Sequence, residues 1–214
     1  MSDWNPELYA RFADERARPI QDLLARVPLT NPRRIVDLGC GAGASTAPLV
    51  VRWPRAEVVG IDTSPAMIEE ARRKVPGARF EIADGAVWEP REPVDLVFSN
   101  ATLQWIPDHR TLLPKLMSWL APGGVLAVQM PDNLDEPSHA SMREVAAEAP
   151  FATALADAAG ARTKLMSHEE TWDVLAPHAA AVDMWRTTYV HPLMGVAKIV
   201  EMVRSTGLKP FVDP

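Results

Sequence analysis

The sequence predicts an α/β fold built on a doubly wound, mostly parallel sheet, and three observations carry that prediction. Short apolar runs suited to buried strands alternate with helix-sized segments over residues 33–133. The first run, Ile35-Val36-Asp37-Leu38, leads directly into a glycine turn, Gly39-Cys40-Gly41-Ala42-Gly43. The later runs end in polar residues, and right-handed crossovers place all of those ends along one edge, where ligands bind in open sheets.

Residues 1–32 read as a helical segment over that edge. Asn5 caps a first helix with Pro6 at its N1 position, and Tyr9, Phe12 and Arg16 share one stripe of it. A second short helix starts at Pro19 and carries Leu23 and Leu24 to the breaks at Pro28 and Asn31-Pro32. The aromatic stripe suits an ordinary core contact or a lid equally well.

The core occupies residues 33–133. After the glycine turn, residues 45–51 suit a helix, and Val58-Val59-Gly60-Ile61-Asp62 is a second strand ending in a carboxylate. Ser64 and Pro65 open the next helix as cap and N1. Arg79 to Asp84 and Val94 to Asn100 are the third and fourth strands. A helix over residues 112–120 and the breaker Pro122-Gly123-Gly124 lead to a fifth strand, Val125 to Met130. Over residues 134–180 the strand rhythm stops, and an alanine-rich, amphipathic stretch reads as a helical cap inserted beside the edge. Residues 181–214 return to the core with a late strand around Trp185-Arg186-Thr187-Thr188-Tyr189 and a helix stopped by Gly207.

Composition narrows the class. The chain has 214 residues, 47% of them hydrophobic, enough for one well-filled domain. A net charge of -6 opposes nucleic acid as the main partner, since that needs a basic face. Cys40 is the sole cysteine, so no intrachain disulfide forms, and a reducing compartment fits. No targeting segment and no apolar run near the ~20 residues of a membrane span stand out. The expectation is a cytoplasmic protein, monomer or homodimer. The histidines show no metal-ligand spacing, so no metal site is expected.

The glycine turn needs residues without Cβ where backbone meets a ligand closely. Taken alone, Gly39-x-Gly41-x-x-Ala44 also satisfies the loose dinucleotide pattern. Asp62, 23 residues beyond Gly39, suits bonding to ribose hydroxyls in either kind of nucleotide cofactor.

Read together, Asp37-x-Gly39-x-Gly41-x-Gly43, Asp62, Asp84, Asn100 with Leu103-Gln104-Trp105, and Ala121-Pro122-Gly123-Gly124 resemble the motifs of the Rossmann-like class I methyltransferases. That resemblance implies S-adenosylmethionine as cofactor, with S-adenosylhomocysteine as product. It implies binding by Asp37, Gly39, Cys40, Gly41, Asp62, Thr63, Met67, Asp84, Gly85 and Asn100. In it Asp62 meets the ribose, Asp84 the adenine amino group, and Met67 the adenine face. Ser2-Asp3-Trp4-Asn5-Pro6-x-Leu8-Tyr9, Leu103-Gln104-Trp105-x-Pro107-Asp108-His109, Val128 to Asn133, and Trp185 to Tyr189 further resemble the trans-aconitate methyltransferase family.

The narrower resemblance implies methyl transfer to a carboxylate of a small polycarboxylic acid. A carboxylate is already ionised at neutral pH, so no general base is expected. Positioning of the acceptor falls to Arg186, Trp105, Tyr9 and Arg16, with Arg11 and Arg143 as further cations. Members of that family continue beyond the position of Pro214, so their final sheet strand is expected to be missing or replaced here. Three alternatives stay open: another small-molecule acceptor, a non-catalytic cofactor-binding module, and a nicotinamide enzyme. The last lacks an evident Tyr-x-x-x-Lys.

Overall fold

A computed structural model of the chain describes residues 11–204 and 206–212. Its strands are β1 (Arg34–Leu38), β2 (Glu57–Asp62), β3 (Arg79–Ile82), β4 (Val94–Asn100) and β5 (Leu120–Gln129). They form one sheet in the order β3-β2-β1-β4-β5, every neighbouring pair parallel. The order reverses beside β1, the switch point at which open sheets of this kind bind ligands.

Helices cover both faces: α1 (Ala13–Ala25), α2 (Thr46–Arg52), α3 (Pro65–Lys74) and α4 (His109–Ser118) around the core. Beyond it lie α5 (Pro137–Ala146), α6 (His168–Leu175), α7 (Val196–Arg204) and α8 (Lys209–Val212). Alternation along each strand divides the core in two. Ile35, Val58, Leu96 and Phe98 meet Ile20, Leu23 and Leu24 of α1 with Leu49 and Trp53. Val36, Leu38, Ile61 and Val97 point the other way, onto Leu103 and the Leu112, Leu113 and Leu116 face of α4. Burial on both sides explains why the strands read as unbroken apolar runs.

Three local expectations differ from the structure. The two predicted N-terminal helices are, over the described residues, one helix that runs through Pro19. Proline there removes a ladder hydrogen bond at a cost of about 3 kcal/mol. Buried Ile20, Leu23 and Leu24 each contribute roughly 1.5–3 kcal/mol, which outweighs it. β5 begins earlier than Val125, because Leu120 already pairs with Val94 and the intervening Ala121-Pro122-Gly123-Gly124 bulges out of the ladder. The late strand expected around Trp185 does not form.

That stretch joins no ladder among the described residues, and side chains of α1 hold it instead. Trp185 packs against the first core cluster beneath the Arg26 guanidinium, 4.2 Å from the ring centre. The Tyr189 hydroxyl donates to Asp22 at 2.5 Å, and Arg18 to the Val190 carbonyl at 3.2 Å. No helix among the described residues is long and apolar enough to cross a membrane.

Leu116 is fully buried between α4 and the sheet. Leu116→Ala is expected to lower unfolding free energy by about 2–5 kcal/mol, read from urea denaturation.

Candidate active site

The site grows from the end of β1. Asp37 is completely buried, and its Oδ2 accepts hydrogen bonds from the Ser45 hydroxyl at 2.7 Å and the Thr46 hydroxyl at 2.6 Å. Burial pushes its carboxyl up to about 6, the two hydroxyls pulling the other way and nearby Asp62 adding to the rise. This clamp fixes the start of α2, and the intervening turn folds back on β2. Gly39 and Cys40 amides both donate to the Ile61 carbonyl, at 2.8 and 3.0 Å.

Asp62 then stitches the turn to the next helix. Its two carboxylate oxygens accept from the Gly41 amide at 3.0 Å and the Ser64 amide at 2.9 Å. Ser64 caps α3 by accepting from the Met67 amide, with Pro65 at N1, as its sequence requires. Gly39 has φ of +75°, and a Cβ there would lie 2.0 Å from the Thr102 hydroxyl oxygen. Only glycine allows β1's exit to lie this close to the loop after β4. Cys40 is buried, and burial with Asp37 and Asp62 pushes its thiol pKa up, so it is no nucleophile.

Four amides of the turn, those of residues 39, 40, 41 and 43, are thus taken by protein acceptors. Those four are therefore not free to meet a dinucleotide's pyrophosphate. The turn instead offers close backbone approach between carboxylates, which suits a cofactor that is cationic and lacks phosphate.

Polar acceptors cluster at the same edge. Asn100 Oδ1 and Gln129 Oε1, paired across the ends of β4 and β5, are buried without a hydrogen-bond partner among the described residues. Gln104 Oε1, in the following turn, is likewise unpartnered. Thr102 bridges the two loops, donating to the Gly39 carbonyl at 3.1 Å. Buried His109 donates from Nε2 to the Leu103 carbonyl, 2.8 Å away, which braces that turn. Among the described residues no group of three or more His, Cys, Asp or Glu is placed to hold a metal ion.

Comparison with known proteins agrees with this geometry. Residues 35–124 match the model of a methyltransferase domain family. The chain is 59% identical over 214 residues to a trans-aconitate 2-methyltransferase of Methylobacterium nodulans, covering 100% of this chain and 83% of that one. It is 57% identical over 216 residues to the enzyme of the same name from Methylobacterium radiotolerans, with the same coverage. The chain belongs to the trans-aconitate 2-methyltransferase family. A methyltransferase solved in complex with the Haloferax volcanii Trm112 activator shares the fold, with TM-score 0.65, 21% identity, and 92% and 88% of the two chains covered.

S-adenosylmethionine is the cofactor of this family. The residues fit it: unpartnered acceptors at Asn100 and Gln129 suit a sulfonium or an ammonium group, and the carboxylate of Asp62 at the end of β2 suits ribose hydroxyls. The other expected contacts are distributed unevenly. Asp84 is exposed beyond β3, and its Oδ1 closes a turn by accepting from the Ala86 amide at 2.9 Å. Gly85 has a packing reason of its own, since a Cβ there would meet Leu38 Cδ1 at 2.4 Å. Thr63 is exposed at the end of β2, and Met67 is buried in the first turn of α3.

Of the residues expected to position the acceptor, Trp105 sits in the short turn after β4. Arg186 reaches the edge but forms an ion pair with Asp132 just beyond β5. Arg16 turns toward α7, donating to the Met202 carbonyl at 3.4 Å, and Arg11 pairs with Glu201 at 2.7 Å. Tyr9 lies outside the described residues.

Sequence reasoning missed Arg162. Its guanidinium donates to Asn133 Oδ1 at 2.8 Å and to the Pro131 carbonyl at 2.9 Å, and stands 5.7 Å from the Trp105 ring centre. Beside it, the Thr163 amide donates to the Gln104 carbonyl at 2.8 Å. The available signal was a single arginine in an otherwise uncharged run from Ala158 to Thr163.

Asp37 takes up a proton more readily folded than unfolded, so its contribution to stability falls as pH rises from about 4 through about 6. Asp37→Asn keeps an acceptor for both hydroxyls. Relative to the native protein it should gain about 3 kcal/mol of stability between pH 4 and pH 7, measured by denaturation across that window.

Proposed function

We propose that the protein transfers a methyl group from S-adenosylmethionine to one carboxylate of trans-aconitate, giving the monomethyl ester. One observation carries the reading. Similarity to the trans-aconitate 2-methyltransferases runs through the whole chain, acceptor side included, and does not stop at the cofactor turn.

S-adenosylmethionine supplies an electrophilic methyl group that a carboxylate takes by direct in-line displacement. With an ordinary pKa near 4, the acceptor is already ionised at neutral pH, so no side chain need remove a proton. The protein's own task is placement, an advantage of roughly 7–11 kcal/mol when alignment is good. In this reading Asp62 takes the ribose hydroxyls and Asp84 the adenine amino group, with Met67, Gly85 and Thr63 around the base. Gly39, Cys40 and Gly41 give the backbone approach, and Asn100 takes the methionine end. Asp37 acts through Ser45 and Thr46, holding the turn in shape.

Residues 134–180 act as the cap that shields the acceptor from water, supported by the tie between Thr163 and Gln104. Trp105 forms part of the acceptor wall, with Tyr9, Arg16 and Arg186 around it. The ion pair of Arg186 with Asp132 makes it a brace of that wall more than a bare cation. A cytoplasmic setting accords with the lone, buried Cys40, and the acting unit is a monomer or homodimer.

Incubation with S-adenosylmethionine and trans-aconitate is expected to yield the monomethyl ester by mass spectrometry. Methylation of a different acid, with trans-aconitate untouched, would overturn the assignment. Asp62→Ala should weaken S-adenosylhomocysteine binding by about 10- to 100-fold in calorimetry, as loss of charge-assisted bonds requires. Unaltered affinity would remove Asp62 from the binding set.

A further inference from the structure

Arg162 follows the short turn Ala158–Gly160, far in sequence from the strands, yet its guanidinium lies at the ligand edge. Both of its terminal nitrogens are engaged by neutral oxygens, those of Asn133 and Pro131 just past the end of β5. Its Nε is buried and has no hydrogen-bond partner among the described residues. The face of Trp105 lies against it.

Three of the other arginines expected to meet the acceptor are neutralised. Arg186 pairs with Asp132, Arg11 with Glu201, and Arg143 with Asp135 at 3.5 Å. Arg162 forms no ion pair among the described residues. Its charged neighbour is a second guanidinium, Arg143, and burial together with that neighbour pushes its pKa down. The same two arginines, after burial, hold His139 down to about 4, so the histidine is neutral at pH 7. A half-buried guanidinium bonded to carbonyls alone has lost solvation with no counter-ion to offset it. A ligand carboxylate would supply one.

We propose that Arg162 is a binding residue for the acceptor, pairing with a carboxylate that is not methylated. The chemistry selects that carboxylate: a guanidinium on the reacting oxygen would stabilise its charge and weaken it as a nucleophile. Arg162 is therefore the residue that favours polycarboxylates over monocarboxylates, and its anchors on Asn133, Pro131 and Trp105 fix where the second charge must lie. This rests on the carboxylate-methylating function proposed above.

The test uses Arg162→Gln and Arg162→Lys in the full chain, with S-adenosylhomocysteine present for acceptor binding and S-adenosylmethionine for turnover. Calorimetry and steady-state rates with trans-aconitate should show Arg162→Gln raising acceptor Kd and KM about tenfold or more. S-adenosylhomocysteine affinity should stay within about twofold. Arg162→Lys should recover part of the loss, since it keeps the charge but not the fork. Unchanged acceptor affinity overturns the proposal, as does an equal loss for both ligands that lysine does not recover. If the native protein neither binds nor methylates trans-aconitate, the proposed function falls, and citrate against acetate becomes the decisive pair. Preference for citrate that Arg162→Gln abolishes upholds the subsite; no preference overturns it.

Discussion

Asp37 accepts two hydroxyl hydrogen bonds in a fully buried position, and the ligand edge is arranged outward from that clamp. A carboxylate taken wholly out of water is costly, and two neutral donors offset this only in part, which is why its pKa stays raised. What the cost sustains is geometry. Ser45 and Thr46 are turned inward, α2 starts at a fixed point, and the seven residues between Asp37 and Ser45 must close as a tight turn. Gly39 and Cys40 spend their amides on Ile61 and Gly41 spends its own on Asp62, which aligns β2's end with β1's. Asp62 passes the constraint to Ser64 and so to α3.

The same accounting of hydrogen bonds separates ligand classes that share a glycine pattern. A phosphate-binding turn keeps its amides free, whereas this one satisfies four of them internally and leaves acceptors open at Asn100, Gln104 and Gln129. Donors are consumed and acceptors remain, so the edge complements a cationic partner. Arg11, Arg143 and Arg186 show the opposite economy, since each is matched with a carboxylate near at hand.

Much of this was legible in the sequence because the relevant signals are local. Apolar runs, Ser64-Pro65 at a helix start, and acids at strand ends are each written within a few residues, and the structure has the strands and that cap where they point. The misreadings share a cause in tertiary contact. Pro19 looks like a break until Ile20, Leu23 and Leu24 are seen buried together on the sheet. The stretch around Trp185 has strand-like composition, but its side chains bind α1 and no neighbour supplies a ladder. Arg162 gave little sign of its place, because its partners lie some 30 residues away at Pro131 and Asn133. The role of Gly85 was also hidden, since the atom that excludes a side chain there belongs to Leu38.

The close meeting of Gly39 and Thr102 carries a consequence for how such a scaffold diversifies. Thr102 opens the loop that leads to Trp105, so that loop begins in direct contact with the glycine turn. Bulk added at position 102 displaces the first glycine before it reshapes anything beyond. Variation that leaves the turn in place therefore falls further along the loop, from Leu103 to His109. Position 102 is inherited with the turn, and a loop grafted from a distant relative has to bring a matching residue there.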